Sequence, residues 1–403
     1  MPVAKLNFLT EEQVREIMQG RYNPVYVVSK LKLNQSADIF IEAMDSLPFG
    51  GKVKFAMKAN PQPEIIEIFR NKGIGIDASS FYEAKIALDS GVKGEDISLT
   101  SQELPPNDDD FKMMIEAGVK FNATSLHQLS EFLRLFPGKN VGVRINPGMG
   151  SGYNKRLTTG GASASFGIWY KYITEALSLA AEAGSKITTL HTHIGTGTDP
   201  MEWLSALETT LDLAEQLLDV NKVSIGGGFK AKYSPDGHDA NMSEISGTLA
   251  KELVKFKQLT GRELSLEIEP GRLLVVHSGS IISKVIDKTD TGEDGCRFLR
   301  VNTGMTEILR PAMYGAYHEL VTVSSNADRH LSLADKFVVA GHCCESSDCL
   351  TMANGNPEEI DPRELNEPEI GDYLVIEEAG AYCYGMSAVG YNSFPKAEVI
   401  FVD

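Results

Sequence analysis

The chain has 403 residues and a net charge of −17, with 42% hydrophobic and 23% charged residues, which is ordinary for a globular protein. This length predicts one large domain and a smaller one rather than a single small core. The acidic balance argues against a nucleic acid or an anionic membrane as the partner.

The first residues and the cysteines indicate a cytoplasmic protein. The start, "MPVAKLNFLTEEQ", lacks the charged, apolar and small-residue regions of a signal peptide, and no apolar run is long enough to cross a bilayer. Five cysteines, an odd number, argue against a disulfide framework. Cys343, Cys344 and Cys349 lie near His342 in the sequence, but adjacent cysteines are poorly spaced for structural zinc. We therefore expect no metal site.

Regular alternation of strand and helix patterns runs from about residue 50 to residue 275. It is preceded by "NPVYVVSKLKL" (23–33), which predicts a strand. Helical patterns, such as residues 79–91 and 200–219, separate short apolar runs. These runs predict eight strands, at residues 53–59, 73–79, 97–101, 120–125, 141–147, 187–194, 223–228 and 264–271. Eight such units in series are typical of a (β/α)8 barrel, with a doubly wound open sheet as the alternative.

After about residue 275 the pattern changes to short strands separated by Gly, Pro, Asn and Asp. We predict an α/β fold in which a (β/α)8 barrel, residues 35–275, is followed by a C-terminal all-β domain. That domain would comprise residues 276–403 and also take in the N-terminal strand with residues 1–34. Residues 148–167 form the longest stretch without a pattern, and a loop of this length is usually functional or mobile.

The end of the first barrel strand carries a lysine. In "KVKFAMKANPQPEI" (52–65), Lys54 fits an ordinary outward-facing strand position. Lys58 stands at the end of the run, just before a helical segment that Pro61 is expected to open. A lysine at this point is either a solvated strand end or an amine placed for chemistry.

The other strand ends also carry polar groups, and barrels of this type collect their chemistry at that face. Asp77, Arg144 and His193 lie near the carboxyl ends of the second, fifth and sixth predicted strands. Three glycines, 226–228, end the seventh predicted strand and could seat a phosphate or simply allow a tight turn. His193 could equally be an interior histidine, and it follows His191 at a spacing that points both side chains the same way.

The eighth strand ends in Glu269-Pro270-Gly271-Arg272. The carboxylate of Glu269 could bind a metal, act as a base or face a heterocyclic nitrogen. A lysine amine, a phosphate seat and an acidic partner for a pyridine nitrogen are together what pyridoxal phosphate (PLP) requires. A class I aldolase barrel also uses a Schiff-base lysine, but it needs neither Glu269 at the rim nor a second β domain.

With these residues identified, the chain resembles the PLP-dependent enzymes of the alanine racemase-like fold, in particular the diaminopimelate and ornithine decarboxylases. "FAMKAN" resembles the cofactor-lysine motif, and "HTHIGTG", "IGGGF" and "EPGR" resemble the motifs around the ring and phosphate. "CCESSD" and "GAYCYGMSAVGYNS" are similar to motifs of the C-terminal domain. The resemblance extends over nearly the whole chain.

This resemblance implies a role for each residue. Lys58 would bond to the cofactor, His193 would stack on its ring and Glu269 would face its ring nitrogen. Asp77 and Arg144 would support the ring and the lysine. The phosphate or the wall of the site would be formed by Thr196, Gly227, Gly228, Gly271, Arg272 and Tyr391. The proton donor, Cys344, and its neighbour Glu345 would come from the partner subunit of a homodimer.

The substrate implied by the resemblance is a dicarboxylic amino acid. "LRPAMYGAYHEL" (309–320) resembles the diaminopimelate decarboxylase form, in which Arg310 and Tyr314, with Arg272, would hold the retained carboxylate. Glu345 would pair with the reacting amino end, and Tyr391 would line the same pocket. The expected reaction is decarboxylation of meso-2,6-diaminopimelate to L-lysine.

Alternatives remain at this stage. They are a decarboxylase of ornithine, lysine or carboxynorspermidine, and a regulatory homologue without activity. Ser347 stands where the family usually has glycine, "TGT" replaces the usual continuation after His193, and the loop at 148–167 differs from the usual segment.

Overall fold

The computed structural model describes residues 5–148, 160–193, 195, 200–331 and 334–403. The chain forms two compact units. We call the first the β unit; it contains Met1–Leu33, Ala231–His238 and Val275–Asp403. We call the second the barrel unit; it contains Asn34–Lys230 and Asp239–Leu274.

Three elements precede the first barrel strand: α1 (Glu11–Met18), β1 (Val25–Ser29) and α2 (Lys30–Asp45). The strand predicted over residues 23–33 was therefore right only for its first part. Helix begins at Lys30, where the Ser29 hydroxyl accepts a hydrogen bond from the Lys32 amide at 3.1 Å. The Lys-Leu-Lys-Leu alternation resembles a strand, but the buried residues of α2 have helical spacing. They lie three or four positions apart, at Leu33, Ala37, Phe40 and Met44.

The barrel unit contains the eight parallel strands that the sequence predicts. They are β2 (Gly51–Ala56), β3 (Gly75–Ala78), β4 (Ile97–Leu99), β5 (Lys120–Ala123), β6 (Val141–Asn146), β8 (Ile187–Thr192), β9 (Lys222–Ser224) and β10 (Ser265–Ile268). A two-residue strand, β7 (Ile168–Trp169), pairs with β6. The hydrogen-bonded order is β5-β4-β3-β2-β10-β9-β8-β6, and pairing of β5 with β6 closes the ring. The closed barrel is thus confirmed, and the open sheet is excluded.

Helices connect these strands. In chain order they are α3 (Pro63–Asn71), α4 (Phe81–Asp89), α5 (Asp108–Glu116), α6 (Leu126–Leu135), α7 (Ile173–Glu182), α8 (Pro200–Gln216), α9 (Met242–Thr260) and α10 (Arg272–Val275). The helix after β2 begins at Pro63 rather than at Pro61, with Gln62 in an extended conformation at its cap. Proline is favoured at the first helical position because it has no amide hydrogen to leave unbonded.

Lys54 does not face outward as its place in the strand pattern predicted. It is only 3% exposed, and its ammonium lies 3.0 Å from Glu267 Oε2. In a closed barrel one of the two alternating sets of side chains points into the interior, and a charged residue can belong to it when a partner neutralises it. The partner stands 213 positions later in the chain, so the strand pattern alone could not indicate it.

The β unit is built on one large sheet. Its later elements are β11 (Gly279–Asp290), β12 (Arg297–Val301), α11 (Arg310–Tyr314), β13 (Leu320–Val323), β14 (Ala334–Ala340), β15 (Met352–Ala353), β16 (Asn356–Ile360), β17 (Arg363–Asn366), β18 (Tyr373–Ile376) and β19 (Glu398–Val402). The sheet order is β13-β18-β11-β12-β14-β17, mostly antiparallel, and β1 pairs with both β11 and β19. The N-terminal strand therefore joins this sheet, as predicted.

Buried apolar side chains fill the sheet interior, including Ile281, Leu299, Phe337 and Leu374. Of the loop at 148–167, residues 149–159 lie outside the described part of the chain. Within the described ranges, no helix combines the length and the apolar character needed to cross a membrane.

Candidate active site

Lys58 lies immediately after β2, in a single 3-10 turn that spans Met57–Ala59. The two flanking residues of that turn are fully buried, whereas Lys58 itself is exposed. The Ala56 amide donates to the Pro270 carbonyl at 3.1 Å, which ties the end of β2 to the segment that follows β10. The turn therefore fixes the backbone of Lys58 while leaving its amine accessible.

Glu269 follows β10 and is 5% exposed. The Ser224 hydroxyl donates to its Oε1 at 2.7 Å, and its Oε2 lies 2.8 Å from Nε2 of His191. Burial alone would raise the pKa of Glu269, but the contacts with His191 and Ser224 outweigh it and lower the pKa to about 2. Glu269 is therefore an ionised carboxylate held rigidly at both oxygens.

His193 stands just past the end of β8, and its ring packs against Gly226. A Cβ at position 226 would lie 2.6 to 2.8 Å from three atoms of the histidine, and the backbone there has a φ of +68°. Burial lowers the pKa of His193 well below its usual value, and the positive charges of Arg144 and Lys58 lower it further. The imidazole is therefore neutral and fixed against a backbone that only glycine can supply.

The glycine turn after β9 approaches the backbone after β10 closely. A Cβ on Gly227 would lie 2.3 Å from the Glu269 carbonyl oxygen, and Gly228 has a φ of +102°. Gly271 is packed against Ala56 and Ala59, since its Cβ would lie 3.2 Å from both side chains. These glycines place backbone without Cβ atoms at the carboxyl ends of the strands. Arg272 starts α10 beside them and is half-buried, whereas Thr196 lies outside the described residues.

Asp77 and Arg144 lie at the ends of β3 and β6 and are both buried. Burial and the negative charge of Glu269 raise the pKa of Asp77 well above its usual value, while Lys58 opposes them. Burial lowers the pKa of Arg144 to about 10, so the guanidinium remains charged at neutral pH. Asp77, Arg144, His193 and Glu269 thus interact electrostatically with one another or with Lys58, which brings five predicted residues together.

The barrel site fits the expected cofactor. Oδ1 of Asp77 and Nη2 of Arg144 are buried and have no hydrogen-bond partner among the described residues. Buried polar atoms usually have partners, so two unpaired ones near the strand ends indicate a polar ligand. An accessible amine, a fixed carboxylate and a backbone free of Cβ atoms add the donors and acceptors that PLP needs.

In the β unit, "CCESSD" forms a turn around a buried carboxylate. Asp348 accepts hydrogen bonds from the Met305 amide at 2.7 Å and the Cys343 amide at 2.8 Å. Cys344 is exposed, and its amide donates to Oδ1 of Asn392 at 2.8 Å. Burial, followed by the charge of Asp348, raises the pKa of Cys343 to about 12. The two adjacent thiols therefore differ, because Cys343 is protonated and enclosed while Cys344 is accessible.

Glu345 lies next to Cys344 and links the turn to "YNS". The Tyr391 hydroxyl donates to its Oε2 at 3.4 Å, and both the amide and the hydroxyl of Ser347 donate to its Oε1 at 3.3 Å. The bonds from Ser347 lower the pKa of Glu345 below its usual value, and Tyr391 adds to the effect. Ser347, where the resemblance expects glycine, thus supplies an additional hydrogen bond to this carboxylate.

Arg310 begins α11 and is 7% exposed, which rules out an ordinary surface arginine. Its Nη1 lies 2.7 Å from Nε2 of His318, and its guanidinium lies over the Tyr233 ring at 4.4 Å. Since arginine can only donate, Nε2 of His318 accepts and its Nδ1 carries the hydrogen, which it donates to the Glu377 carbonyl at 2.9 Å. Tyr314, at the other end of α11, is half-buried.

Several residues that shape these sites were not predicted to have a role. His191 and Ser224 orient Glu269, and Gly226 admits the His193 ring. His191 could have been recognised from its spacing of two before His193. His318 and Tyr233, which hold Arg310, carry no local sequence signal, because only the tertiary fold brings them to it. Among the described residues, no group of three or more His, Cys, Asp or Glu side chains is arranged to hold a metal ion.

Comparison with known proteins gives consistent results. The model of the family "Pyridoxal-dependent decarboxylase, pyridoxal binding domain" matches residues 34–276. A diaminopimelate decarboxylase of Streptomyces coelicolor is 32% identical over 357 residues, which cover 87% of this chain and 79% of that protein.

Solved structures extend the similarity to the whole fold. A crystal structure of diaminopimelate decarboxylase aligns with a TM-score of 0.87 at 29% identity, covering 98% of this chain and 92% of the other. A diaminopimelate decarboxylase from M. jannaschii, in complex with L-lysine, aligns with a TM-score of 0.84 at 25% identity, covering 97% and 89%.

Proposed function

The chain belongs to the pyridoxal-dependent decarboxylases, and we propose from this membership that it converts meso-2,6-diaminopimelate to L-lysine and CO2. Its cofactor is pyridoxal phosphate. Such enzymes decarboxylate several amino acids. The buried Arg310 is the observation that favours diaminopimelate among them as the substrate. A guanidinium that is bonded through Nη1 to His318, and whose Nε and Nη2 make no hydrogen bond among the described residues, suits a carboxylate that the reaction retains.

When bound, the cofactor supplies a ring that takes up the electron pair left behind by CO2. Lys58 would hold it covalently, since its amine is accessible on a rigid turn. Glu269 would face the ring nitrogen and keep a proton on it. The low pKa of Glu269 supports this role, because a carboxylate that stays ionised favours a protonated neighbour.

The remaining barrel residues would bind and orient. His193, neutral and packed on Gly226, presents a flat face suited to stacking on a ring. Asp77 and Arg144 each offer an open buried polar atom. The phosphate would be seated by Gly227, Gly228 and Gly271 with Thr196, Arg272 and Tyr391, and this arrangement remains a proposal.

Arg310 would bind the carboxylate at the end of the substrate that does not react. Its side chain has one hydrogen bond among the described residues, through Nη1 to His318, so Nε and Nη2 can donate side by side to a carboxylate. Tyr314 and Arg272 would complete the binding of this carboxylate, and Glu345 and Tyr391 would serve the amino group.

We further propose that the protein is a homodimer in which Cys344 of one subunit donates the proton at Cα in the site of the other. The exposure of Cys344 and of Tyr391 supports this, because a partner surface covering them would exclude water and leave the thiol as the proton donor. The five free cysteines are compatible with a cytoplasmic location, which we also propose.

Release of CO2 from a panel of amino acids tests the substrate. The PLP-loaded enzyme is given diaminopimelate, ornithine, lysine and arginine, with the Arg310→Ala variant in parallel. We expect diaminopimelate to be preferred and Arg310→Ala to lose activity on it selectively. Activity on ornithine with none on diaminopimelate would overturn the proposal.

Mixing two inactive variants tests the shared site. Lys58→Ala and Cys344→Ala subunits are dissociated, combined in equal amounts and reassembled. If each site uses one residue from each subunit, half of the dimers are mixed and each regains one of its two sites, which restores about a quarter of native activity. No recovery, with dimers confirmed by light scattering, would show that each subunit supplies its own Cys344.

A further inference from the structure

The amino-terminal end of the barrel contains a cavity lined by both charged and apolar side chains. Its volume is about 220 Å³, far above the roughly 10–15 Å³ that one water needs. The lining includes Lys120 and Lys222, which are the first residues of β5 and β9. Lys58 follows the opposite, carboxyl end of β2, so this cavity lies at the other end of the strands from the candidate active site.

The inner wall of the cavity is an ion cluster. Lys54 donates to Ser98 Oγ at 3.0 Å and lies 3.0 Å from Glu267 Oε2, while Lys222 lies 2.9 Å from Glu267 Oε1. Burial would raise the pKa of Glu267, but the two ammonium groups outweigh it and hold the pKa below its usual value. One carboxylate is thus shared by two lysines, which leaves one positive charge in excess inside the barrel.

The rim adds two further lysines. Lys120 and Lys139 line the same cavity and are exposed. Among the described residues neither has an acidic partner, and the ammonium of Lys139 lies over the Phe136 ring at 5.8 Å. Four lysines and one glutamate therefore line the cavity, and its net charge is +3 in a chain whose net charge is −17.

We propose that this cavity is a binding site for a small oxyanion with two or more negative charges, of the phosphate or short dicarboxylate class. A concave surface of one sign concentrates counter-ions, and primary ammonium groups on flexible stems bind phosphate and carboxylate oxygens as point charges. Lys54 and Lys222 form the fixed base through Glu267, and Lys120 and Lys139 close over the anion from the rim. The proposal does not depend on the substrate of the active site.

Lysine acetylation of the PLP-loaded enzyme tests the site directly. Inorganic phosphate and malonate are added separately, and acetylation at each lysine is followed by mass spectrometry. At an anion concentration of about twice the dissociation constant, Lys120 and Lys139 should react about threefold more slowly. Lys93 and Lys251, exposed lysines of the same unit without ion pairs among the described residues, should be unaffected. The anion that gives the stronger protection identifies the ligand class.

Two double variants complete the test by titration calorimetry. Lys120→Gln with Lys139→Gln should weaken anion binding at least about tenfold, because two charged donors are lost. Lys93→Gln with Lys251→Gln removes the same charge elsewhere and should leave binding unchanged. Equal slowing at all four lysines, absence of protection by both anions, or equal affinity in the two double variants would overturn the proposal.

Discussion

The hydrogen bond between Arg310 and His318 gives the most specific prediction about substrate recognition. Replacing His318 by alanine removes the acceptor that lies 2.7 Å from Arg310 Nη1. Arg310 is only 7% exposed, so bulk water cannot replace the lost acceptor freely. A hydrogen bond to a charged group contributes about 1.5–3 kcal/mol. Since about 1.4 kcal/mol corresponds to a tenfold change in affinity, we expect binding of the retained carboxylate to weaken about tenfold or more.

Two competitive inhibitors isolate this effect. L-lysine keeps the carboxylate that Arg310 would bind, whereas cadaverine is the same chain without it. In His318→Ala, the inhibition constant of L-lysine should rise about tenfold while that of cadaverine stays constant. The KM for diaminopimelate should rise more than kcat falls. His318→Gln should restore binding, because its amide oxygen can accept from Arg310 and its NH2 can donate to the Glu377 carbonyl.

The outcome can refute the reasoning in two ways. If both inhibitors weaken equally, His318 supports the fold of the β unit and does not position Arg310. If neither changes, the hydrogen bond has no part in carboxylate binding. Arg310→Ala provides the reference, since it should show the same selectivity for L-lysine with a larger effect.

Three further predictions concern other contacts. Gly226→Ala should cost about 2 kcal/mol or more of stability and weaken cofactor retention, because its Cβ would lie 2.6 to 2.8 Å from His193 at a φ of +68°; unchanged thermal unfolding and cofactor dissociation would contradict this. Burial raises the pKa of Glu377 to about 7, so its folded form binds protons more tightly than the unfolded chain and stability falls as pH rises from about 4.5 to about 7. Glu377→Gln should abolish this pH-dependent part of the free energy of unfolding, about 3 kcal/mol, when denaturant unfolding is measured between pH 5 and pH 8. If the stabilities of the variant and the native protein differ by the same amount at every pH, the prediction is wrong. Ser347→Gly should raise the pKa of Glu345 in a carbon-13 NMR titration, because the hydrogen bond from the Ser347 hydroxyl at 3.3 Å is lost. An unchanged titration would show that only the hydrogen bond from the backbone amide of residue 347 lowers this pKa.

The barrel could be predicted because its strands are short apolar runs at regular intervals, and all eight appear where the sequence places them. The local sequence pattern gave a wrong prediction where the same residues fit both a strand period and a helix period. In "SKLKLNQSADIF" the alternation of lysine and leucine fits a strand over four residues, and only Ala37 and Phe40 show that the same leucines belong to a helix. Helix α2 was missed for this reason.

The strand-end residues of the candidate site could be picked out from the sequence, whereas the residues that contact and orient them could not. Lys58 and Glu269 stand at strand ends and follow directly from the barrel pattern. His191 and Ser224 bond to Glu269 across 78 and 45 positions of chain, and a single sequence does not show such pairs. Lys54 was placed on the wrong side of its strand for the same reason, since its partner is on another strand.

The most direct test of the proposed function is the stoichiometry of the reaction in D2O. PLP-loaded enzyme is given meso-2,6-diaminopimelate, and CO2, L-lysine and deuterium incorporation are measured together. The proposed function predicts equal amounts of CO2 and L-lysine, with one deuterium at the carbon that lost the carboxylate. Deuterium exchange into diaminopimelate without CO2 release, or CO2 without L-lysine, would contradict it.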